Sequence, residues 1–354
     1  MENHTLPADS SLTTTSATQE TSSIPLVSLV IPTHNRYASL RTVLKSLERQ
    51  SIPSEHFEVL VICDGCTDDT VVMCKALGVR YALRIIEQTP NQGPAAARNR
   101  GVNEANASLI LFIDDDVVPE PTLIAEHLQL HAENERAVVI GPLLAPPGAR
   151  LPPWTGWEED RLNKQYRAMS VHEWEPTPRQ FYTGNASVAR EHILKAGGFN
   201  PHFRRAEDVE LAFRFSELGL HFYFNPNAKG WHYAQRSLRD WLNISTAYGQ
   251  SDVTMYCSGR QTMLLSMARE FHARQRILQG LARVCIGQTW YVRLVTNCLL
   301  AISYLANWTR QQKAAYAAYS AIFNLRYWQS VCEQLGGAPA FWALVQQHQP
   351  GRND

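Results

Sequence analysis

SLILFIDDD, residues 108–116, decides how the chain is read: five apolar residues in a row end abruptly in three carboxylates, Asp114, Asp115 and Asp116. A run that apolar fits a strand covered on both faces, as in a parallel sheet. Working outward, similar runs stand on both sides. LVSLVIP begins at Leu26, FEVLVICD at Phe57, YALRIIEQ at Tyr81 and AVVIGPLL at Ala137, so successive runs start 24 to 31 residues apart. That is the spacing of βαβ units with right-handed crossovers. Between the runs, Leu40, Val43, Leu44 and Leu47 recur at helical spacing, as do Leu123, Ile124, His127 and Leu128. The expected architecture is α/β, a mainly parallel sheet flanked by helices, over residues 26–235.

The rest of the chain is less regular. The stretch from Ala145 to Pro178 contains PPGARLPPW and then Trp154, Trp157, Tyr166 and Trp174, and reads as a long aromatic loop. Residues 236–354 read as helical almost throughout, with a break at Gly336 to Pro339. Within that region Leu294 to Trp308 is apolar, but its 15 residues include Asn297 and Asn307. That is short of the roughly 20 needed to span a bilayer, so a buried helix is expected. Peripheral membrane association of the helical region stays open as the alternative, because Trp290, Tyr291 and Trp308 accompany Arg293 and Arg310. Residues 1–25, rich in Ser and Thr without a basic start or an apolar run, read as a disordered tail and not a secretory signal.

Composition narrows the function. Apolar residues make up 45% of 354, enough for a large core, and 33 Lys plus Arg balance 33 Asp plus Glu. No global field draws the chain to nucleic acid, so no nucleic-acid partner is expected. The seven cysteines are odd in number and form no framework, which favours buried thiols in a reducing, cytoplasmic setting, at most peripheral at the inner membrane face. Cys63 and Cys66 have C-x-x-C spacing without a second pair to complete a zinc site.

Ligands of an open parallel sheet bind beyond the carboxyl ends of its strands. Here those ends read Pro32-Thr33-His34-Asn35-Arg36, then Asp64-Gly65, then Asn91-Gln92-Gly93 with Ala97-Arg98-Asn99 following, then the three aspartates. Adjacent carboxylates repel in a poorly solvated crevice unless a cation or hydrogen bonds offset them. A hard divalent cation, Mn²⁺ or Mg²⁺, answers that need and often completes its shell with substrate phosphates. A solvated, aspartate-rich turn is the plain alternative.

VSLVIPTHNR, ICDGCTDDT, NQGPAAARNRG and LFIDDD, followed by GNASVARE, KAGGFNP and AEDVELAFRFSELG, resemble in order and spacing the family 2 glycosyltransferases of the GT-A fold, over residues 26–235. The resemblance implies nucleotide-sugar contacts at Pro32, Thr33, Asn35, Arg36, Asp64, Arg98, Asp114 and Asp115. It implies a D-x-D metal site at Asp114 and Asp116, with Asp116 the leading ligand and His232 completing the coordination. The acidic pair Glu207-Asp208 supplies the catalytic group, Asp208 as base with Glu207 at its side. Gly184, Asn185 and Trp154 are candidates for the acceptor side. Cys66 stands where the family more often has serine, a small departure.

The implied reaction moves a sugar, with inversion, from a nucleoside-diphosphate donor to a hydroxyl acceptor on a glycan, a lipid-linked glycan or a small molecule. UDP is the expected carrier. The PTHNR after the first run argues against a pyrophosphorylase, which would place a glycine-rich phosphate loop there, and the missing G-x-G-x-x-G argues against a dinucleotide oxidoreductase. A catalytically silent nucleotide-sugar-binding or scaffold protein of the same fold is the remaining alternative.

Overall fold

A computed structural model describes residues 24–203, 205–234, 236–259, 267–272 and 276–347; most of the tail expected at 1–25 lies outside them. The apolar runs become β1 (Val27–Thr33), β2 (Phe57–Asp64), β3 (Ala82–Gln88), β4 (Leu109–Ile113) and, from the last run, β6 (Ala137–Ile140). Strands β3, β2, β1 and β4 lie side by side and parallel. Between β4 and β6 the strand β8 (Asn185–Ala189) is inserted antiparallel to both, and β9 (His221–Phe224) forms the far edge, parallel to β6. The sheet is therefore seven-stranded and mainly parallel, in the order β3-β2-β1-β4-β8-β6-β9. A small second sheet joins β5 (Val117–Pro119), β10 (Gly230–His232) and β7 (Leu143–Leu144) beside the three aspartates.

Helices cover both faces. On one, Leu40, Val43 and Leu44 of α1 (Tyr37–Leu47), Met73 of α2 (Thr70–Ala76) and Leu123 and Ile124 of α4 (Leu123–Glu133) bury against β1, β2 and β4. On the other, Ala97 and Val102 of α3 (Pro94–Glu104), Ile193 of α6 (Arg190–Lys195) and Leu211 and Phe215 of α7 (Glu207–Glu217) do the same. Helix α3 can lie so close to β1 because residue 101 is glycine: a Cβ there would stand 2.3 Å from a methyl of Val30.

Three expectations are corrected. The stretch read as a long aromatic loop contains an 18-residue helix, α5 (Pro153–Ser170). The prolines taken as breakers stand just before and at its first residue, where proline has no intrahelical N–H to lose. Trp157, on α5, is buried in an aromatic cluster with Trp241 and Tyr319. The segment expected as a buried helix is the 20-residue helix Thr289–Trp308, and only one of its faces is covered. Helix α8 (Leu238–Cys257) and the helices Arg276–Cys285, Thr289–Trp308, Gln312–Gln334 and Ala338–Gln347 build the rest of the helical region. Among the described residues no helix is long and apolar enough to cross a membrane. All seven cysteines are free; Cys257 and Cys298 are exposed, against the expectation of buried thiols.

Candidate functional site

The carboxyl ends of β1, β2 and β4 and the amino end of α7 converge. The loop after β1 turns sharply at Asn35, whose φ of 55° lies in the left-handed region, a region Asn tolerates better than most residues. Its side-chain oxygen accepts from the backbone N–H groups of Thr67 (2.8 Å) and Asp68 (3.3 Å), tying the loops after β1 and β2 together. Nδ1 of His34 lies 2.8 Å from the Asp64 carbonyl. Asp64, buried at the end of β2, accepts from Gln88 Nε2 (2.8 Å) and from the backbone N–H of Gln92 (2.8 Å) and Gly93 (2.7 Å). It pins the loop that leads into α3. Gln88 has no motif to mark it, but the parallel register of β2 and β3 places it directly opposite Asp64. Pro32, in register with Ile62, lies half-buried one residue before Thr33.

The three aspartates separate by environment. Asp114 points to Arg98, whose guanidinium donates to its Oδ1 at 2.9 Å. Gly184 makes room for it, since a Cβ at that position would stand 3.0 Å from Asp114 Oδ2. Asp115 accepts from the Thr33 hydroxyl at 2.7 Å; burial nevertheless pushes its carboxyl up to about 7. Asp116 feels the same burial, but the His232 ring 3.4 Å away and the nearby Arg36 guanidinium outweigh it and hold its carboxyl below the ordinary range. Arg36 is half exposed, 3.9 Å from Asp115 and 3.8 Å from Asp116, a cation at the rim of the crevice.

Of the three expected metal ligands, the structure brings two together. Asp116 and His232 face each other, while Asp114 is held by Arg98, and among the described residues no group of three or more His, Cys, Asp or Glu side chains is arranged to hold a metal ion. A carboxylate beside an imidazole is still a donor set that suits a divalent ion sharing its shell with phosphate oxygens.

Arg98 is buried, and it joins two halves of the site: one nitrogen meets Asp114, the other donates to Glu207 Oε1 at 2.7 Å. It thereby fastens the end of β4 to the first turn of α7. It is engaged with carboxylates and stacked near Phe199, so its reach to a nucleotide runs through Asp114 and not through a free guanidinium. Glu207 is buried and paired with Arg98. Helix α7 is entered through Ala206 in a left-handed conformation, φ 57°, which costs a residue with a Cβ some strain. Asp208 follows, partly accessible but deep among protein atoms. The Val209 N–H donates to its Oδ1 at 2.8 Å and the Thr183 backbone also reaches it. Burial first, then the negative charge of Glu207, push its carboxyl up to about 7.

The acceptor-side candidates divide. Gly184 borders Asp114, as described. Asn185 is wholly buried: its amide donates to the carbonyls of Pro142 (3.1 Å) and Ala228 (2.7 Å), and its oxygen lies 3.0 Å from His127 Nε2. That makes it a brace beneath the site and not an acceptor contact. Trp154 donates from Nε1 to the Arg236 carbonyl at 3.1 Å and packs on the aromatic cluster. An open groove of about 590 Å³ starts at His232 and is lined by Arg150, Pro152, Tyr233 and Arg236. Sequence reading missed this groove and missed Tyr182 and Tyr248, whose hydroxyls burial raises and which feel the charge of Asp208.

Comparison with known proteins places this geometry. Residues 28–197 match the family model Glycosyl transferase family 2. Validoxylamine A glucosyltransferase of Streptomyces hygroscopicus subsp. jinggangensis is 30% identical over 225 residues, covering 56% of this chain and 53% of that protein. The probable glycosyltransferase YdaM of Bacillus subtilis is 26% identical over 259 residues, 72% of this chain and 59% of its own length. The chain thus spans little more than half the length of these relatives. Among solved structures, S. aureus TarS 1-349 in complex with UDP superposes with a TM-score of 0.53 at 16% identity, over 93% of each chain. The mannosyltransferase PcManGT of Pyrobaculum calidifontis, in complex with GDP-Man and Mn²⁺, gives 0.53 at 18%, over 93% of this chain and 88% of that one. At such identities the likeness is one of fold.

Proposed function

From the match of residues 28–197 to the family model Glycosyl transferase family 2, we propose that the chain is an inverting glycosyltransferase that transfers a sugar from a nucleoside diphosphate, UDP first, to a hydroxyl acceptor. The observation that carries the reading is the double latch of Arg98. By meeting Asp114 at 2.9 Å and Glu207 at 2.7 Å, it sets the strand-end acids and the Glu207-Asp208 pair at one site.

Asp208 is the group fitted to take a proton at neutral pH. Its raised carboxyl makes it a stronger base once ionised, and a base titrating near the working pH combines availability with driving force. The acceptor hydroxyl gives its proton to Asp208 as its oxygen bonds to the anomeric carbon. The bond from that carbon to the diphosphate oxygen breaks on the opposite face, and the nucleoside diphosphate leaves with the electron pair. One attack from one side inverts the centre. Asn35, Asp64 and the Asn91–Gly93 loop shape the end that receives the base and ribose, while Arg36 stands where phosphate charge arrives. A divalent ion held by Asp116 and His232 would offset the charge on the departing diphosphate; the UDP in the TarS structure and the GDP-Man and Mn²⁺ in the PcManGT structure are consistent with such use here.

A thermal-shift panel of UDP, TDP and GDP, each with and without Mn²⁺, tests the reading. A ligand at about 100 times its Kd adds about 2.7 kcal/mol of stability. A shift with one diphosphate that grows with Mn²⁺ is expected, and no shift with any of them overturns the proposal.

A further inference from the structure

The helix Thr289–Trp308 is turned inside out. Val292, Thr296, Ser303 and Ala306 face the protein, and Ser303 and Thr296 are 0% and 3% exposed. The opposite face carries the large apolar side chains, with Leu294 52%, Leu305 60% and Trp308 82% exposed. At 100° per residue, Trp290, Leu294, Ala301, Leu305 and Trp308 fall on one narrow stripe, with Ile302 and Tyr304 on its flanks. About five turns that present Leu, Ile, Tyr and Trp to water, while a Thr and a Ser are buried, reverse the pattern of a helix that ends its packing at its own protein. A contiguous apolar surface of this kind marks an interaction site.

Charge selects the occupant. The chain is neutral overall, yet residues 276–347 contain six basic residues, Arg276, Arg283, Arg293, Arg310, Lys313 and Arg326, and one acidic residue, Glu333. The helix Arg276–Cys285, which packs on Thr289–Trp308, adds exposed Ile277 and Val284, and neither helix has an Asp or a Glu. Pairing this face with a second copy would bring Arg293 and Arg310 of both copies to one interface with no carboxylate on either helix to answer them. An anionic surface answers both. Tryptophans stand at both ends of the stripe, the residues favoured at the level of lipid headgroups, and a helix of 20 residues lying flat is about 30 Å long.

We propose that the outward face of Thr289–Trp308 docks the protein flat on an anionic lipid bilayer, the apolar stripe entering the headgroup boundary and the flanking arginines meeting lipid phosphates. The helix does not span, because its other face stays packed on Gln312–Gln334. This inference is independent of the transfer chemistry.

Flotation of the full chain with lipid vesicles tests it. The protein is expected to float with phosphatidylcholine vesicles containing about 30% phosphatidylglycerol and not with phosphatidylcholine alone, and to be released by about 0.5 M NaCl. The double variant Leu294→Gln, Leu305→Gln should bind about tenfold less while keeping its Tm and its UDP response, because both residues are more than half exposed. Arg310→Glu with Lys313→Glu should weaken binding without touching an apolar residue. Failure to float with anionic vesicles overturns the proposal, as does flotation that neither variant changes. A wild-type dimer by light scattering that the leucine variant returns to monomer, without vesicle binding by either, overturns it in favour of self-association.

Discussion

Arg98 bears the largest local electrostatic demand in the described site. It is 5% exposed, its Nε has no hydrogen-bond partner, and its two other nitrogens each meet a carboxylate. Burial works against the charge, but Asp114 and Glu207 outweigh it and keep the guanidinium firmly protonated. Removing one member of such a buried set strands the others. Arg98→Met is expected to cost about 3–5 kcal/mol in urea denaturation, and a loss under about 1 kcal/mol would show that the latch is ornamental. Asp208 is strained in the other direction. Its folded pKa, about 7, lies above the value of an unfolded aspartate, so the folded state holds an extra proton between the two and loses that advantage as pH rises through 7. Asp208→Asn removes the penalty. The variant should melt higher than wild type at about pH 8, with the gap closing toward about pH 4, while transfer falls about 10²- to 10⁴-fold and UDP binding is kept. In the wild type, transfer should rise with pH up to about 7 and then level off, following ionisation of the base. Transfer that is flat from about pH 5 to 8 would take Asp208 out of that role.

At the scale of elements, the close approach of α8 to the helix Gln312–Gln334 depends on Gly249, where a Cβ would stand 2.7 Å from the Tyr327 carbonyl and 2.9 Å from Ser330 Cβ. Neither neighbour is the free end of a long side chain, so Gly249→Leu is expected to lower stability by about 1–3 kcal/mol through overpacking; an unchanged denaturation midpoint would mean the helices can slide apart freely. Such contacts explain what the sequence could and could not disclose. Strands β1, β2 and β4 and helices α1 and α4 were legible because burial on both faces leaves a continuous apolar run and burial on one face leaves a helical period. The insertion of β8 between β4 and β6 was not, since strand order is a matter of partners far apart in sequence. Helix α5 was hidden by prolines that start it. Asp64 and the three aspartates were visible because they end apolar runs, and Glu207 and Asp208 through the family resemblance, but their arrangement was not: Arg98 reaches partners 16 and 109 residues away, and its grip on Asp114 leaves only Asp116 and His232 of the expected metal set facing each other. Asn185 shows the converse, a polar residue beside a motif that proves to be a wholly buried brace.

For the molecule as a whole, the boundary read at residue 235 divides composition more than it divides packing. Phe203, Val209 and Phe213, on and just before the helix that carries Asp208, share one apolar cluster with Val253, Met255, Trp328 and Phe341 of the helical region. A second cluster joins Trp157 of α5 to Trp241 of α8 and to Tyr319 and Ile322. The back of α7 is thus part of the helical region's core while its first turn is part of the site, so neither half can lose its packing without exposing apolar surface of the other. Such continuity predicts a single cooperative thermal transition, with calorimetric and van't Hoff enthalpies equal, that moves upward as a unit when UDP and Mn²⁺ are added. Trp328→Ala, which cuts the shared cluster far from any nucleotide, should lower that one transition by about 3–5 kcal/mol. Two separable transitions, only one of them responsive to nucleotide, would instead show that the helical region folds as a body of its own and that α7 is held in place by the sheet alone.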